Sequence, residues 1–510
     1  MEFGILDISV FVLFFLVVVG TSMYKSRKEE TGEDYFLASR SLIWPIIGIS
    51  LIAANISSEQ FVGMSGQSAG NVGLAIASYE WMAAITLVFV AFFFLPRFLS
   101  SGIYTIPEFL QYRYNSTARS LMAFYTMVIY VGVTISAVIY SGAITIYTIF
   151  NVDIEIAVWG IGIIAALYTT WGGLKAVAWA DVFQGTALII GGAIVLYFGL
   201  DAVGGLDSFI SHNADKLHMV LPADHPVLPW TALVIGLWIP NIYYWGLNQY
   251  ITQRTLAAKS LREGQKGIIF AAAIKIIIPF VIVFPGIMAA QLYSDSMSTS
   301  DAAYPTLIKN LIPNGLKGFM LAAIAGAVIS SLASMLNSAS TIFTLDLYKI
   351  YIKKDASQKN LVFTGRMMTL LFVLIGCLIA PSLGDPRFMG IFTYIQEFQG
   401  YISPGILAAF VFGIIFKKAP PMAGVVALLA CVPVYGFLQW QFGEIAFLNR
   451  MAITFGIILL LMALITIVKP LKEPKQLPKR TDIDLTPTPQ LIWFGGAVIL
   501  VTLVLYGIFW

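Results

Sequence analysis

Fourteen membrane-length apolar runs recur along this 510-residue chain, at about 6–24, 42–66, 73–99, 120–150, 154–171, 175–200, 229–251, 264–293, 315–348, 362–383, 387–417, 421–441, 445–468 and 489–510. A ~30 Å hydrocarbon core is crossed by roughly 20 apolar residues in a helix. Only 11% of the residues are charged and 58% are hydrophobic, whereas a soluble domain carries about 25% charged residues. The pattern predicts an all-α polytopic membrane protein of about fourteen spans, folded as one transmembrane domain over 1–510.

The first run is not expected to be a cleaved signal peptide, because no basic residue precedes it, Asp7 opens it and no small-residue cleavage site follows. Cys377 and Cys431 both fall in spans, where a free thiol behaves as a small hydrophobe. The three histidines share one polar loop (His212, His218, His225) and give no metal signal. The net charge of +3 says nothing of nucleic acid, because its distribution follows topology.

With the N-terminus outside, the loops after odd-numbered runs collect 24 of the 30 basic residues, among them Arg27, Lys28, Arg40, Arg113, Arg254, Lys353, Lys354 and Lys472. Lys216, Lys309, Lys317, Arg387 and Arg450 fall on the opposite side. This bias predicts cytoplasmic odd loops and both termini outside. The thirtieth basic residue, Lys275, lies inside a run. The stretch SGIYTIPEFLQYRYNSTAR (101–119) mixes aromatic and charged residues and is expected to lie along the inner interface.

Two runs are interrupted. Asn55, Ser57, Ser58, Glu59 and Gln60 break the second, and Gln396, Glu397, Gln399, Gly400, Pro404 and Gly405 break the eleventh. Non-helical backbone at membrane depth is tolerated where it is buried in protein or lines a wet cavity. Spans 2–6 (42–200) and 7–11 (229–417) form two sets of five. An odd number of helices per set gives the sets opposite orientation, the topology of an inverted repeat. The remaining spans, 6–24 and 421–510, are then peripheral.

Lys275 lies nine residues beyond Lys266, about 14 Å along a helix. A charge at that depth marks a functional site by default, a buried structural ion pair being the other reading. Glu80, in LAIASYEWMAAITL, is the matching acid. In LWIPNIYYWGLNQY, Asn241, Tyr244, Trp245 and Asn248 have the spacing of one helix face, and Pro240 loosens the backbone beside them. Gln60 and Gln396 each add an amide that both donates and accepts. These groups suit a neutral, hydroxyl-rich ligand with one flat face, such as a sugar lying on Tyr244. An anion would pair with Lys275 and be repelled by ionised Glu80.

For a coupling ion, Ala327, Ser330 and Ser331 in GAVISSLASMLNS bring a carbonyl and two hydroxyls to one helix face. Unwound carbonyls from 53–56 could complete an oxygen shell suited to sodium. Serine in a membrane helix also serves as packing glue. Asp181, in AVAWADVFQG, is either a helix-N-terminal carboxylate or a nearby ion ligand.

The stretches LIAANISSEQF, GLAIASYEWM, GIYTIPEF, NIYYWGLNQYITQRTLAAKS, SSLASMLNSASTIFTLDLYK and YIQEFQGYISPGI resemble the sodium:solute symporter family, and within it the bacterial sodium/galactose symporters. The resemblance runs from span 1 to Trp510. It implies a LeuT-like core of five plus five helices, co-transport of sodium with a hexose such as galactose or glucose, and a cell-membrane location. It further implies hydrogen bonds to the sugar from Gln60, Glu80, Asn241, Lys275 and Gln396, and Tyr244 stacked on the sugar as its inner cover. Met64, Tyr79 and Phe392 match the outer hydrophobic gate. The sodium shell maps to the carbonyls of Ala53, Ile56 and Ala327 and the hydroxyls of Ser330 and Ser331, with Asp181 as an acid linked to sodium. Ala83 stands where the galactose symporters have serine, so one hydroxyl contact is missing.

Competing expectations are symport of another small solute (a polyol, a sialic acid, an amino acid or a carboxylate) and, from a different class, a channel or a sensor. No nucleophile–base pair or metal cluster argues for an enzyme. Number of sodium ions, proton substitution and oligomeric state are open at this point.

Overall fold

Without water to bond exposed amides, a lipid-embedded chain satisfies its backbone by forming helices, and each of the apolar runs does so here. The computed structural model describes residues 4–25, 37–57, 59–171, 174–297, 299–385, 390–480 and 483–510. Arg27, Lys28, Ser58 and Arg387 lie outside the described residues. Among the described residues nine helices are long and apolar enough to cross a membrane, or eleven when two bent helix pairs are each taken as one span. Three shorter apolar helices, Ile5–Val18, Ile154–Leu167 and Ala232–Leu247, fall on the other three expected runs. Length and composition therefore establish nine to eleven of the fourteen expected spans.

The helices that position the site are α1 (Ile5–Lys25), α2 (Trp44–Asn55), α3 (Ser78–Ser101), α4 (Ile106–Arg113), α5 (Leu174–Ala202), α6 (Trp238–Leu247), α7 (Gln249–Leu256), α8 (Leu261–Tyr293), α9 (Leu316–Ile342), α10 (Ile391–Gln399) and α11 (Ser403–Ile415). Helix α8 packs along α3 and α2, α5 lies against α9 and α2, and α6 lies against α3 and α11. Side chains such as Leu16, Ile163, Leu464 and Leu503 cover the outside, as a lipid-facing surface requires.

The peripheral α1 is tied to the core by one acid. Asp7 is buried, and its Oδ1 accepts the Gly315 and Gly318 amides at 2.6 and 2.9 Å. A carboxylate on these otherwise unpaired N–H groups caps α9 and complements its dipole.

Both interruptions appear as bends. The pair Trp44–Asn55 and Gln60–Ala69 meets at 55°, and α10 meets α11 at 46°. At the first bend the Ser57 amide turns back to the Asn55 carbonyl (2.8 Å), and a π-helical turn follows at Gln60–Met64. At the second, successive short-range bonds from Gly400, Tyr401 and Ile402 tighten the chain before Pro404 opens α11. The two bent segments touch each other: a Cβ on Gly63 would stand 2.7 Å from Ile391 Cγ2 and 3.0 Å from Phe392 Cβ, so only glycine permits the approach.

The stretch 101–119 packs one face into the protein. Helix α4 buries Ile106, Phe109, Leu110 and Arg113 inside the protein, with Phe109 stacked on Phe410 at 5.3 Å. Arg113 donates to the carbonyls of Gly413, Phe416 and Ala419. These three carbonyls, at and just beyond the end of α11, anchor the segment to the protein. Arg40 and Arg254, counted as loop cations, are likewise buried, Arg40 bonding the carbonyls of Leu256, Gly102 and Ile103.

Candidate substrate and sodium site

Between the two bent segments a small cavity is lined by Asn55, Glu59, Gln60, Tyr79, Glu80, Thr134, Pro240, Asn241, Tyr244, Trp245, Tyr250, Phe392, Ile395, Gln396 and Gln399. Five of the six expected substrate residues (Gln60, Glu80, Asn241, Tyr244, Gln396) thus share one space, contributed by four separate segments. The sixth, Lys275, sits behind Glu80 on α8. Of the expected gate residues, Tyr79, Phe392 and Tyr244 line the cavity, whereas Met64 is fully buried outside the lining.

Lys275 is fully buried, and its Nζ donates to Glu80 Oε2 and to Asn55 Oδ1. The same ammonium lies 4.8 Å from the centre of the Trp245 ring, a favourable position over a π face. The charge expected from sequence is therefore paired from α2, α3 and α6 at once. Leaving either charge alone in this interior would be costly.

Asn55 continues the chain of contacts. Its Nδ2 donates to Tyr244 Oη (3.2 Å), which also accepts from Tyr250 Oη (2.7 Å). Asn241, also in the lining, donates from Nδ2 to Leu237 O (3.1 Å). Gln60 Oε1, Gln396 Oε1 and Glu59 Oε2 are buried with no hydrogen-bond partner among the described residues. Buried acceptors of this kind call for a donor. The space open to water centres is about 40 Å³, enough for roughly three waters at ~10–15 Å³ each. A solute larger than a few waters therefore enters only when the surrounding side chains part.

Asn248 does not share the face of Asn241, Tyr244 and Trp245. Helix α6 ends at Leu247, Asn248 is extended (φ −83°, ψ 121°), and its Oδ1 accepts from Tyr130 Oη instead. Helical spacing loses its meaning where the helix stops.

The expected sodium ligands flank the first bend. In a continued helix the Ala53 carbonyl would accept the Ser57 amide and the Ile56 carbonyl the Gln60 amide. The bend sends the Ser57 amide to Asn55 O (2.8 Å) and the Gln60 amide to Ser57 O (3.0 Å), so both carbonyls lose those donors. Helix α9, which packs on α2, carries Ala327, Ser330 and Ser331, all buried. Ser331 Oγ has no hydrogen-bond partner among the described residues. Ala327 is inside regular helix, where the second lone pair of its carbonyl is still available. Carbonyls and hydroxyls form the hard, neutral donor set that a monovalent alkali cation takes.

Asp181 is fully buried and joins three helices rather than capping one. Its Oδ1 accepts from Ser330 Oγ, and its Oδ2 accepts from Ser50 Oγ (2.5 Å) and from Arg254 Nη2 (2.7 Å). A Cβ on Gly185, one turn further along α5, would stand 2.8 Å from Ala53 Cβ, so the helices touch here.

Sequence reasoning assigned no role to Asn55 or Arg254. Asn55 belongs to the polar break, which was a usable signal. Arg254 was counted with the loops, and the signal for it was indirect: an acid within span 6 demands a partner.

The model of the "Sodium:solute symporter family" matches residues 35–429. The chain is 40% identical to a sodium/glucose cotransporter of Vibrio parahaemolyticus, over 99% of this chain and 98% of that protein. It is 36% identical to the symporter YidK of Escherichia coli K12, over 94% and 87%, and 34% identical to a sodium/myo-inositol cotransporter 2 of Oryctolagus cuniculus, over 81% and 66%. In fold it resembles a Na+-coupled sialic acid symporter in a substrate-bound outward-open state, with TM-score 0.82 and 21% identity over 93% of this chain and 100% of that one. Mhp1, a nucleobase-cation-symport-1 family transporter, aligns with TM-score 0.57 and 12% identity over 88% and 98%. Both neighbours have the LeuT-like transporter architecture. The chain therefore belongs to the sodium:solute symporter family, as a multi-pass membrane transporter that couples a small solute to sodium.

Proposed function

We propose that the solute is a neutral sugar, a hexose such as galactose or glucose, carried by alternating access. The observation that carries this reading is the cavity itself: Gln60, Glu80, Asn241 and Gln396 offer acceptors and amides around aromatic faces from Tyr79, Tyr244 and Trp245. Sugar hydroxyls both donate and accept, and the C–H face of a pyranose lies on an aromatic ring. Lys275 supplies a donor once the incoming sugar shares Glu80 and Asn55 with it. The similarity to the sodium/glucose cotransporter of Vibrio parahaemolyticus supports the same class.

In this reading sodium takes the carbonyls of Ala53, Ile56 and Ala327 with the hydroxyls of Ser330 and Ser331, and it orders the bend that carries Gln60. Tyr79, Phe392 and Met64 close the outer side and Tyr244 the inner side. The repeats are 42–200 and 229–417, with 6–24 and 421–510 peripheral, in the cell membrane with both termini outside. Sodium entry supplies about 2.3 kcal/mol per 100 mV and about 1.4 kcal/mol per tenfold gradient. Together, roughly 3.7 kcal/mol concentrates a sugar about 500-fold at one sodium per cycle.

A second reading, a polyol, is favoured by the relatives named sodium/myo-inositol cotransporters. Uptake of labelled galactose, glucose and myo-inositol into proteoliposomes, with and without an inward sodium gradient, separates the two. Glu80→Gln is run alongside: it abolishes uptake of a neutral polyhydroxy solute and spares an anionic one. Sodium-driven uptake of a carboxylate with none of the three neutral solutes would remove the sugar reading.

A further inference from the structure

Two segments far apart in sequence meet where two membrane helices end. Helix α11 stops at Ile415 and α12 (Phe447–Val468) at Val468. Lysines follow each: Lys417 and Lys418 after the first, Lys469, Lys472 and Lys475 after the second. The backbone then joins the two segments, Leu471 N–H donating to the Lys418 carbonyl and Lys475 N–H to the Lys417 carbonyl, both at 2.9 Å. These lysines thus fall on one patch, and all are exposed. Among the described residues none of their ammoniums has an ion pair. Glu473 is the one acid within 469–475.

The neighbours of the patch set its depth. Ile415, Phe416, Ile467 and Val468 are 57, 50, 76 and 74% exposed, and large apolar side chains so bare mark a surface that meets lipid. The lysines begin within two residues of them, so their stems lie along the hydrocarbon edge and their ammoniums reach the headgroup layer. The end of α11 does not call for these cations, because Arg113 already holds the carbonyls of Gly413, Phe416 and Ala419. Like charges gathered against one acid repel one another until counter-charge is supplied. A lysine ammonium is a point charge on a flexible stem, suited to mobile phosphates.

We propose that this patch is a docking surface for phospholipids of net negative headgroup, and that headgroups shared by the two segments tie the end of α11, the second bent segment, to the membrane surface. A zwitterionic headgroup carries the same phosphate with its own cation attached, so net charge is what the patch discriminates. The proposal needs only that the chain spans a membrane, and it stands apart from the solute and sodium readings.

The test titrates phosphatidylglycerol or phosphatidylethanolamine into the purified full chain in detergent and counts bound lipid by native mass spectrometry. The wild type is expected to bind phosphatidylglycerol at least tenfold more tightly. That preference should shrink as ammonium acetate rises from about 0.1 M to about 1 M, where the screening length falls from about 10 Å to about 3 Å. Lys475→Gln alone is expected to weaken phosphatidylglycerol binding roughly fivefold. Lys417→Gln, Lys418→Gln, Lys472→Gln and Lys475→Gln together remove the preference, whereas Lys353→Gln with Lys354→Gln, exposed lysines of another loop, leaves it intact. Equal binding of the two lipids by the wild type overturns the proposal. So does a quadruple variant that keeps the preference, or a Lys353 and Lys354 variant that loses it. Where the quadruple variant fails to fold, Lys475→Gln and the wild-type salt dependence decide, an unchanged affinity in either being fatal. Polyglutamate bound by the wild type in place of phosphatidylglycerol, and released by the lysine substitutions, would assign the patch to a protein partner and overturn the lipid reading.

Discussion

Tyr79 and Phe392 meet edge to face, with ring centroids 4.9 Å apart and planes at 88°. One ring comes from α3 and the other from α10, so the contact joins the two proposed repeats across one end of the cavity, and Tyr244 borders the same cavity from α6. As a gate, this pair must separate each time solute enters or leaves on its side. An aromatic pair contributes about 0.5–1.5 kcal/mol beyond buried area, or about a two- to tenfold effect on an equilibrium. Phe392→Ala is expected to speed solute dissociation by about that factor with sodium binding retained. Dissociation of labelled solute, measured by dilution, checks it, and an unchanged rate would remove the gate.

The Lys275–Glu80 pair predicts opposite outcomes for single and double variants. Lys275→Met leaves Glu80 without its cation in a buried site and is expected to cost about 3–5 kcal/mol. Lys275→Met combined with Glu80→Leu is expected to recover most of that stability, because no charge is stranded, while sodium-driven uptake stays absent in both. Thermal unfolding in detergent, with uptake in proteoliposomes, makes the comparison. A double variant no more stable than the single would show that the pair is not the source of the cost.

Ala83 is buried one turn beyond Glu80 on α3. If the solute is a hexose, Ala83→Ser adds a hydroxyl beside the proposed sugar site. A net hydrogen bond contributes about 0.5–1.5 kcal/mol, so the half-saturating galactose concentration is expected to fall about two- to tenfold relative to glucose. Competitive uptake of the two sugars reads this ratio. A weaker or unaltered preference for galactose counts against the contact.

Asp301 lies outside the membrane-spanning helices, where its Oδ2 accepts the Ile391 amide (3.2 Å) at the start of α10. Burial raises its carboxyl from 3.8 to about 6, and the Ile391 hydrogen bond opposes the rise. Between about pH 4 and pH 6 the folded chain keeps a proton that the unfolded chain has released. The stability from this group is thus present at low pH and is lost as pH rises through 6. Asp301→Asn keeps an acceptor for Ile391 without the charge. Its advantage over the wild type is expected to grow from about pH 4 to pH 6 and then level off, at up to about 3 kcal/mol. Melting curves at pH 5, 6 and 7.5 measure the gap; a constant gap would mean that Asp301 is not titrating there.

Much of this protein follows from local pattern. Apolar runs of membrane length become helices because lipid leaves the backbone no other partner, and the runs at 42–66 and 387–417 bend where polar, glycine and proline residues accumulate. That Gln60, Glu80, Asn241 and Gln396 line one cavity was legible for a related reason, since a polar side chain at membrane depth has few places to go besides a polar interior space. Tertiary structure decided what sequence spacing cannot carry. It paired Lys275 with Asn55, 220 positions away, and it turned Asn248 off the face of Tyr244 by ending a helix one residue earlier. It drew Arg113, Arg40 and Arg254 from the loops into the interior. Periodicity describes which residues share one helix face; which faces meet depends on long-range packing, and the carbonyls and buried Asp181 that hold these arginines come together only once the helices are assembled.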